Sequence, residues 1–573
     1  MIYFIAVWSI LSIVSWLIGI ALIVGLRADC FDRVSDRIMA AFWLGLVLSA
    51  NGLLLLSLAL PLSPVAGLAI AVGVSLPLLC WSAIRAEIHQ LWKVKSPAVM
   101  AAVMGWTVLI AMYMTTKVTW FDTGLYHFGA IRWLSEFGTV PGLALVLNNL
   151  GFTSSWFALS APLTLESVAP RVTAVANGWV FLVITCHGFI ALWHWFMGKA
   201  RITDKFMVIF LGLVLPSLTL SSFLSTILIS SSPDIPVIFL SGIMAWSILT
   251  VANPPQSHRA TTDATPWNAA LIPLFLALGT IAIKLSALPL LPVALLFYWR
   301  QQFPDFRRVL MGCVLSLLLL APLMVVSIVT SGCPLYPSSI MCVNVPWRVS
   351  TTVIDKTIEV ITLWEHNFGD IPPGPSRFLL QLWEWLQFSR FNIVMLILIL
   401  LSAILIVPTY KSARKQKIYG TPWLFCCSAI GIVFIMARAP MVRFGLGYFV
   451  MVPTIGAAVL GTAYVNRSRW QLAPNFSGVN TRKYLSEALF VGFGLIASLG
   501  LLQPSIQARL LLPPAIPSTG VESRQSYDVQ YVKPANDDSI KCWDAPIPCT
   551  HNELEIRLRN PSRGIRGGFI PAE

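Results

Sequence analysis

Charged residues are scarce in this sequence of 573 residues. Asp, Glu, Lys and Arg make up 11% of it, against roughly 25% in an ordinary soluble domain. A soluble protein of this size would need far more charge to cover its surface, and 57% of the residues are hydrophobic. The composition excludes a cytosolic globular protein, a disordered protein and a nucleic-acid binder, so nucleic acid is not an expected partner.

Short motifs with a known chemistry are also missing. The chain has no P-loop, no GxGxxG fingerprint, no HExxH zinc motif and no internal repeat. Its ten cysteines show no CxxC spacing, and free Cys in an apolar run packs as a small hydrophobe. An oxidising compartment would permit disulfides at Cys333/Cys342 and Cys542/Cys549, which spacing alone does not establish.

Long hydrophobic runs, by contrast, recur along the chain. A hydrocarbon core about 30 Å thick is crossed by about 20 apolar residues. Runs of this kind occupy 2–26, 39–60, 64–84, 98–115, 172–196, 206–229, 233–251, 308–330, 391–408, 421–437, 444–465 and 484–503. Lys284, Pro289 and Pro292 interrupt the stretch 268–298, which predicts two short helices of about 15 residues each. We expect an all-α integral membrane protein with about 14 transmembrane helices, the first run being kept as a helix rather than cleaved as a signal peptide.

The Lys and Arg residues orient these helices. The loops between the predicted helices form two alternating sets. The short loops of the first set hold 21 of the 39 Lys and Arg residues, whereas the short loops 61–63 and 230–232 of the second set hold none. Because Lys and Arg remain on the cytoplasmic side, the first set is predicted to be cytoplasmic. Both termini then face outward, which fits a bacterial cytoplasmic membrane protein with extracytoplasmic N- and C-termini.

The predicted helices divide the chain into five parts. These are three N-terminal transmembrane helices in 1–97, a core in 98–330 with an outer loop at 116–171, an outer segment at 331–390, C-terminal transmembrane helices in 391–503, and a polar, Pro-rich tail in 504–573. The tail is predicted to be a small extracytoplasmic appendix, and its two cysteines lie within it.

The outer loop begins with an amphipathic stretch, residues 120–141. At 100° per residue, one helical face carries polar and aromatic side chains and the other is apolar. The polar face holds Asp122, Tyr126, Arg132, Trp133 and Glu136; Phe128, Ile131 and Leu134 lie opposite, with His127 among them. Such a helix would lie at the membrane surface. The simpler interpretation is a juxtamembrane helix with an Arg132–Glu136 surface pair and a packed core His127.

This stretch resembles the first catalytic loop of the C-type (GT-C) integral-membrane glycosyltransferases, in an uncharacterised bacterial branch. The shared features are an acid at the end of a span, an outer amphipathic helix with Tyr and Arg, and a following Gly…Pro; Leu150 to Phe157 resembles a second interfacial helix. The resemblance covers roughly 98–330 and the segment near 443. It implies a GT-C-like bundle, a lipid-linked sugar phosphate donor and Asp122 as catalytic base.

Two features depart from that family. The family usually has this loop directly after its first helix, whereas here three further spans precede the helix that leads into the loop. Asp122 is also followed by Thr123 and Gly124 rather than by a second acid. The usual paired-acid metal site is therefore in doubt. A divalent cation, if one binds, would be held by Asp122 and Asp234.

Few other charged residues lie on the predicted outer side. Asp234, at the mouth of a span, is either a second acid of the site or a helix N-cap. Lys284 and Arg443, with Arg438 as a weaker third, are candidates to hold the donor phosphate, because Arg grips phosphate with two donors. The alternatives are snorkelling of Lys284 and lipid head-group contacts of the two arginines.

We therefore predict a glycosyltransferase that moves a sugar from a polyprenyl-phosphate donor to a glycan, lipid or protein acceptor on the outer face, with the lipid bilayer as its other partner. One alternative is a transporter, which would also use broken helices with a charge at membrane depth. The other is a polysaccharide polymerase or ligase of another fold, for which Arg348, Arg377 and Arg390 of the late outer segment would be the expected arginines.

Overall fold

The computed structural model describes residues 1–94, 97–255, 266–300, 305–366, 377–467, 492, 495–496, 498–535 and 540–572. Within them the chain is mostly α-helical. The N-terminal half forms α1 Ile2–Gly25, α2 Val34–Leu56, α3 Pro64–Cys80, α4 Ser82–Val94, α5 Pro97–Met114, α6 Phe128–Glu136, α7 Ser155–Ser160, α8 Val175–Phe196, α9 Ile202–Leu220, α10 Ser222–Leu228 and α11 Asp234–Ala252. The remainder forms α12 Ile272–Ile283, α13 Leu290–Arg300, α14 Phe306–Ser331, α15 Thr351–His366, α16 Arg377–Phe388, α17 Arg390–Lys415, α18 Thr421–Arg438, α19 Val442–Arg467 and α20 Pro504–Gln507.

The lengths and composition of these helices are those of a multi-pass membrane protein. Ten of the described helices are long and apolar enough to cross a bilayer, and a bent pair, Pro64–Cys80 with Ser82–Leu91, would make eleven. The bend between the members of that pair is 91°. The expected run 484–503 lies mostly outside the described residues, so the total of about 14 transmembrane helices stays a prediction.

The interrupted stretch 268–298 forms two short helices, as expected. Its first apolar helix runs over Ala269–Ile283 and its second over Leu290–Arg300. Lys284 lies at the break in extended conformation (φ −158°, ψ 136°). A second break was not expected: the run 206–229 is divided at Ser221, where α9 ends and the Ser221 hydroxyl caps α10 by accepting from the Leu224 N–H at 3.1 Å.

Glycines bring the first two helices into backbone contact. A Cβ atom on Gly19 would overlap the Ala41 carbonyl oxygen, and one on Gly45 would overlap the Ser15 carbonyl oxygen. Small residues allow such close approach between membrane helices, where van der Waals packing replaces the hydrophobic effect. The centre of the bundle is formed by α12, which is buried along its whole length, and by α11, buried from Asp234 to Thr250.

The connecting segments gather at two ends of the bundle. At one, called here the Asp122 end, the N-terminal amine donates to the Arg509 carbonyl at 2.9 Å, and the Leu62 N–H donates to the Leu134 carbonyl at 2.8 Å. At the other, called here the Asp204 end, the Arg33 guanidinium reaches Asp204 at 2.7 Å. Two of the Lys/Arg-rich loops of the sequence, those around Arg33 and Arg201, meet at this end. The alternation of all the short loops, and which end faces the cytoplasm, stay predictions.

The tail adds sheet structure that the all-α expectation left out. β1 Val521–Ser526 pairs antiparallel with β2 Val529–Pro534, and β3 Ile556–Leu558 pairs antiparallel with β4 Phe569–Pro571. Both cysteine pairs that the sequence left open, Cys333–Cys342 and Cys542–Cys549, form disulfides. The second lies within the tail, where few apolar residues are available to hold these short strands together.

Candidate functional site

Four charged residues predicted from the sequence meet at the Asp122 end, although they come from distant parts of the chain. Asp122 precedes a π-helical turn, Thr123–His127, and Asp234 is the first residue of α11. Lys284 lies at the break after α12, and Arg443 lies in the first turn of α19. Each is at a helix end or a break, so its charged group is at the margin of the apolar bundle.

The four charges form two ion pairs. Arg443 Nη1 lies 2.9 Å from Asp122 Oδ2, and Lys284 Nζ contacts Asp234 Oδ1. The Asp234 side chain is 2% exposed and that of Lys284 26%. Burial of an acid is costly unless a cation or hydrogen-bond donors compensate its charge. The pairing therefore explains how Asp234 can be buried among apolar helices.

The ring of Phe444 connects the two pairs. Lys284 Nζ lies 4.1 Å from the centre of the ring, and the Arg443 guanidinium carbon lies 4.5 Å from it. The same guanidinium is 5.3 Å from the Trp120 ring. Cations are attracted to aromatic faces, by about 0.5–1 kcal/mol at exposed sites and more when desolvated. Phe444 thus holds two cationic groups next to each other that would repel one another without their acids.

Asp234 does not act as the helix N-cap that its position allowed. Pro233 is the N-cap of α11, and no side chain caps this helix end. The Asp234 carboxylate instead accepts from the Ser232 hydroxyl at 3.1 Å and pairs with Lys284. The Ser232 carbonyl in turn accepts from the Asn177 side-chain amide at 3.1 Å. Hydrogen bonds between neighbouring elements fix the position of the acid.

His127 lies beside the two ion pairs in a fully buried position. Its ring centre is 4.5 Å from that of Tyr126 and 5.2 Å from that of Phe157. Burial lowers the pKa of His127 from 6.5 to about 3; Asp234 raises it, while Lys284 and Arg443 lower it further. The ring is therefore neutral at physiological pH. Within the described part of the chain, its Nδ1 has no hydrogen-bond partner.

Three hydroxyl groups close in sequence to Asp122, Asp234 and Lys284 also lack a hydrogen-bond partner within the described ranges. Buried side-chain oxygens of Thr123, Ser231 and Ser286 have no hydrogen-bond partner among the described residues. Each lies within three positions of Asp122, Asp234 or Lys284 along the chain. Buried polar groups are almost always hydrogen-bonded, so unsatisfied ones need a ligand or water.

The expected polar face of residues 120–141 is not formed. Thr123–His127 is π-helical and α6 begins only at Phe128, so a rule of 100° per residue fails across the junction. Trp133 is buried, 5.3 Å from Phe137 and 6.1 Å from Phe569 between ring centres. Tyr126 packs edge-on against Phe152 and Phe157. The second expected interfacial helix corresponds to α7, which is wholly buried.

Three further residues predicted for the site do not contact the two ion pairs. Arg132 pairs with Glu136 at 3.0 Å and donates to the Ala545 carbonyl in the tail at 2.8 Å. Arg438 is exposed at the end of α18 and has no ion pair with any described residue. The Arg132–Glu136 pair therefore matches the simpler interpretation given above, with an added role in holding the tail.

The tail covers the start of the outer loop. The Trp543 N–H donates to the Gly124 carbonyl at 3.0 Å, and a Cβ on Gly124 would lie 2.5 Å from the Trp543 ring. Lys541 Nζ lies 5.0 Å from the centre of the Phe121 ring, next to Asp122. The sequence carried no indication of this contact, because a single Trp in a polar tail is unremarkable. Phe444 was missed because one more Phe in an apolar run carries no signal of its own.

The two acids of the site do not form a metal centre. Asp122 and Asp234 each contact a cationic side chain, and this arrangement leaves no cluster of carboxylates for a divalent ion among the described residues. Within the described ranges, the group of His, Cys, Asp or Glu residues close enough to share an ion is Asp36, His194 and Asp204, at the opposite end of the bundle. Asp122 and Asp234 thus do not fit the divalent cation that the sequence left open.

Residues 1–450 match a family described as a domain of unknown function, DUF8201. The chain belongs to the DUF8201 family. The matched region of DUF8201 includes Asp122, Asp234, Lys284, Arg443 and Phe444, and the tail that packs on Gly124 lies beyond it. Comparisons with curated proteins and with solved structures gave no match.

Proposed function

We propose that this protein is a membrane glycosyltransferase that uses a polyprenyl-phosphate-linked sugar and works at the Asp122 end of the bundle. The observation that carries the proposal is the meeting of two acids and two cations around Phe444. Such a site can supply a base for an acceptor hydroxyl and positive charge for a phosphate. The resemblance of the outer loop to the GT-C family supports the same chemistry by analogy.

The proposed reaction is a direct displacement at the sugar carbon. The acceptor hydroxyl forms the new C–O bond as the bond to the phosphate oxygen breaks, and its proton passes to Asp122. The phosphate leaves with the electron pair, and Lys284 and Arg443 offset its growing charge. A single displacement inverts the configuration at that carbon.

Arg443 would place the two reactants next to each other. A guanidinium has five N–H donors in a fixed plane, and the bond to Asp122 uses Nη1. A phosphate bound to the same guanidinium would therefore lie within a few ångströms of the proposed base. Lys284, which already contacts Asp234, would approach that phosphate across the Phe444 ring.

The test is sugar transfer by the Asp122→Asn variant. The purified protein is reconstituted with radiolabelled polyprenyl-monophosphate hexoses and pentoses and with acceptors extracted from the same membranes. Asp122→Asn keeps the side-chain shape and removes the base, so transfer falls by about 10²–10⁴-fold while donor binding persists. The matched control is Asp355→Asn, an exposed acid on α15.

Two results would contradict this assignment. If the well-folded Asn variant transfers sugar within about twofold of wild type, far less than a general base contributes, Asp122 is not the base and Asp234 becomes the candidate. If no lipid-linked sugar is consumed by wild type but vesicles take up a solute, the transporter alternative is correct.

A further inference from the structure

A polar cavity lies at the Asp204 end, far from the proposed catalytic site. Its volume is about 450 Å³, within the range of small-molecule sites. It lies between the ends of α2, α9, α11 and α19, and its polar lining includes Asp36, Arg201, Lys205, Asn253 and Gln416. Ends of membrane-spanning helices lie at the level of lipid head groups.

Most charges around this cavity are already paired. Arg201 binds Asp32 through two bonds of 2.5 and 2.7 Å. Asp204 accepts from Arg33 at 2.7 Å and from the Arg201 backbone N–H at 2.6 Å, and its other oxygen is 2.9 Å from His194 Nδ1. These groups need no ligand to satisfy them.

Asp36 is the exception. Its side chain is 5% exposed and lines the cavity. Within the described ranges it has neither a hydrogen bond nor an ion pair. Lys205 also lines the cavity; its Nζ donates to the Thr462 hydroxyl at 2.9 Å and forms no ion pair with a described acid. The cavity thus presents one carboxylate and one ammonium that lack partners of opposite charge within the described part of the chain.

A metal ion is a poor occupant, although Asp36, His194 and Asp204 offer ligand atoms within 4.8 Å of one another. Arg33 Nη1 already lies 3.0 Å from His194 Nδ1 and 2.7 Å from Asp204 Oδ2. A metal ion would have to displace that guanidinium from two of its three ligands, whereas an ammonium group at Asp36 needs neither His194 nor Asp204. A ligand carrying both signs of charge matches Asp36 and Lys205 better.

We propose that this cavity binds a zwitterionic ammonium–phosphate group, with its ammonium at Asp36 and its phosphate at Lys205. The amide side chains of Asn253 and Gln416 would contact its remaining oxygens. The position at the helix ends favours the head group of an aminophospholipid from the adjacent leaflet. Soluble ethanolamine phosphate has the same chemistry and is the second source to be tested.

The experiment is native mass spectrometry of the purified full-length protein released from detergent. Phosphatidylethanolamine and phosphatidylglycerol with the same acyl chains are added separately, and the retained lipid is counted. Wild type should retain phosphatidylethanolamine at about tenfold lower concentration than phosphatidylglycerol, since a charge-assisted contact distinguishes them. Asp36→Asn should abolish that preference, and Lys205→Gln should weaken retention of both lipids.

Matched controls are Asp29→Asn and Lys199→Gln, exposed residues of the loops at the same end. Ethanolamine phosphate that binds wild type and not Asp36→Asn, without lipid retention, would support the site and assign it to a soluble ligand. The proposal would be overturned if wild type, like Asp36→Asn, retained the two lipids equally. It would also be overturned if the control variants lost as much retention as Asp36→Asn and Lys205→Gln. Binding of Mn²⁺ that is lost in both Asp36→Asn and His194→Ala would overturn it in favour of a metal.

Discussion

The two ends of the bundle use the same residue types in different ways. At the Asp122 end, each acid contacts a single cation, and the two pairs meet on the aromatic ring of Phe444. At the Asp204 end, Asp204 contacts Arg33, His194 and the Arg201 backbone N–H at once. The ion pairs at the Asp122 end are therefore sparse, and their cations share one aromatic ring. The acid at the Asp204 end is densely hydrogen-bonded.

The number of contacts that each charged group makes determines which charges can change partner. A carboxylate with three contacts would lose all of them to admit a ligand, whereas Lys284, which forms one ion pair with a described acid, would give up that one ion pair to turn toward a phosphate. We therefore expect chemistry at the Asp122 end and structural support at Asp204.

The strongest contrast between the two ends should be the side of the membrane on which each lies. The Ser518→Cys variant, with its new thiol exposed in the tail, should react completely with a membrane-impermeant maleimide added to intact cells. Lys199→Cys at the Asp204 end should react only after permeabilisation. The wild-type protein, with its exposed Cys80, Cys313 and Cys426, supplies the background. Labelling of the Ser518→Cys variant only in permeabilised cells would invert the topology and remove the outer placement of Asp122.

The next prediction compares the stability contributed by the Asp234–Lys284 pair with that contributed by the Asp204–Arg33 pair. Asp234→Asn leaves Lys284 without its acid and should lower the free energy of unfolding by about 1–3 kcal/mol, less than for a fully buried pair because Lys284 is 26% exposed. Adding Lys284→Met should restore most of that loss. The corresponding double variant Asp204→Asn with Arg33→Met should not recover, because the single amide oxygen of the Asn side chain cannot replace both carboxylate oxygens that His194 and the Arg201 N–H contact.

Thermal unfolding in detergent measures these differences, and Lys356→Met, an exposed cation on α15, serves as the control. Equal recovery at both ends would contradict the distinction between sparse and dense pairing. Recovery of stability in the double variant at Lys284 without recovery of sugar transfer would show that the pair has a role beyond holding α11 and α12 together.

Local sequence was sufficient for much of the fold. Runs of about 20 apolar residues specify spans because each helix must satisfy its own backbone in lipid. Two prolines and Lys284 specify the break in 268–298, since a proline removes a helical hydrogen bond. Asp122, Asp234, Lys284 and Arg443 could be selected because charges are rare and expensive in such a chain.

Their partners could not be deduced from the sequence. Asp122 and Arg443 are 321 positions apart, and their pairing depends on how the start of α19 packs against the outer loop. Trp133 of α6 lies in the core rather than on the predicted polar face, and the π-helical turn at Thr123–His127 separates Asp122 from that helix. The contact of Trp543 with Gly124 joins segments that share no local pattern. Long-range packing, rather than propensity, decides these features.

A smaller effect is expected from Gly124→Ala. This substitution tests the packing of the tail, which covers the Asp122 end. The new Cβ would lie 2.5 Å from the Trp543 ring. Because such overpacking is destabilising, we expect the free energy of unfolding to fall by about 1–3 kcal/mol and the tail to be partly released. Limited proteolysis should then cleave within 504–573 faster than in wild type. Trp543→Ala in the same protein should relieve the clash, and Gly52→Ala, whose Cβ meets nothing within 4 Å, is the control. Unchanged proteolysis would mean that the tail does not rest on Gly124.

The smallest expected effect is a dependence of stability on pH that originates in His127. Burial lowers its pKa to about 3 in the folded protein, against about 6.5 in the unfolded chain. Between these values the unfolded state binds more protons, so stability falls as the pH drops below about 6.5, by at most about 1.4 kcal/mol per pH unit from this residue. Above a pH of about 6.5 the contribution is complete and constant.

The comparison that isolates this contribution is wild type against His127→Asn, each unfolded by heat in detergent at two pH values, about one unit above and about 1.5 units below the ordinary histidine pKa. Wild type should lose more stability on acidification than the variant, because the variant has no buried imidazole to protonate. His89→Asn on α4 is the control, since the His89 side chain is exposed. An identical loss in wild type and His127→Asn would mean that the imidazole is accessible to protons in the folded protein. It would then be available as a second base beside Asp122, and the neutral, packed role assigned to it would be wrong.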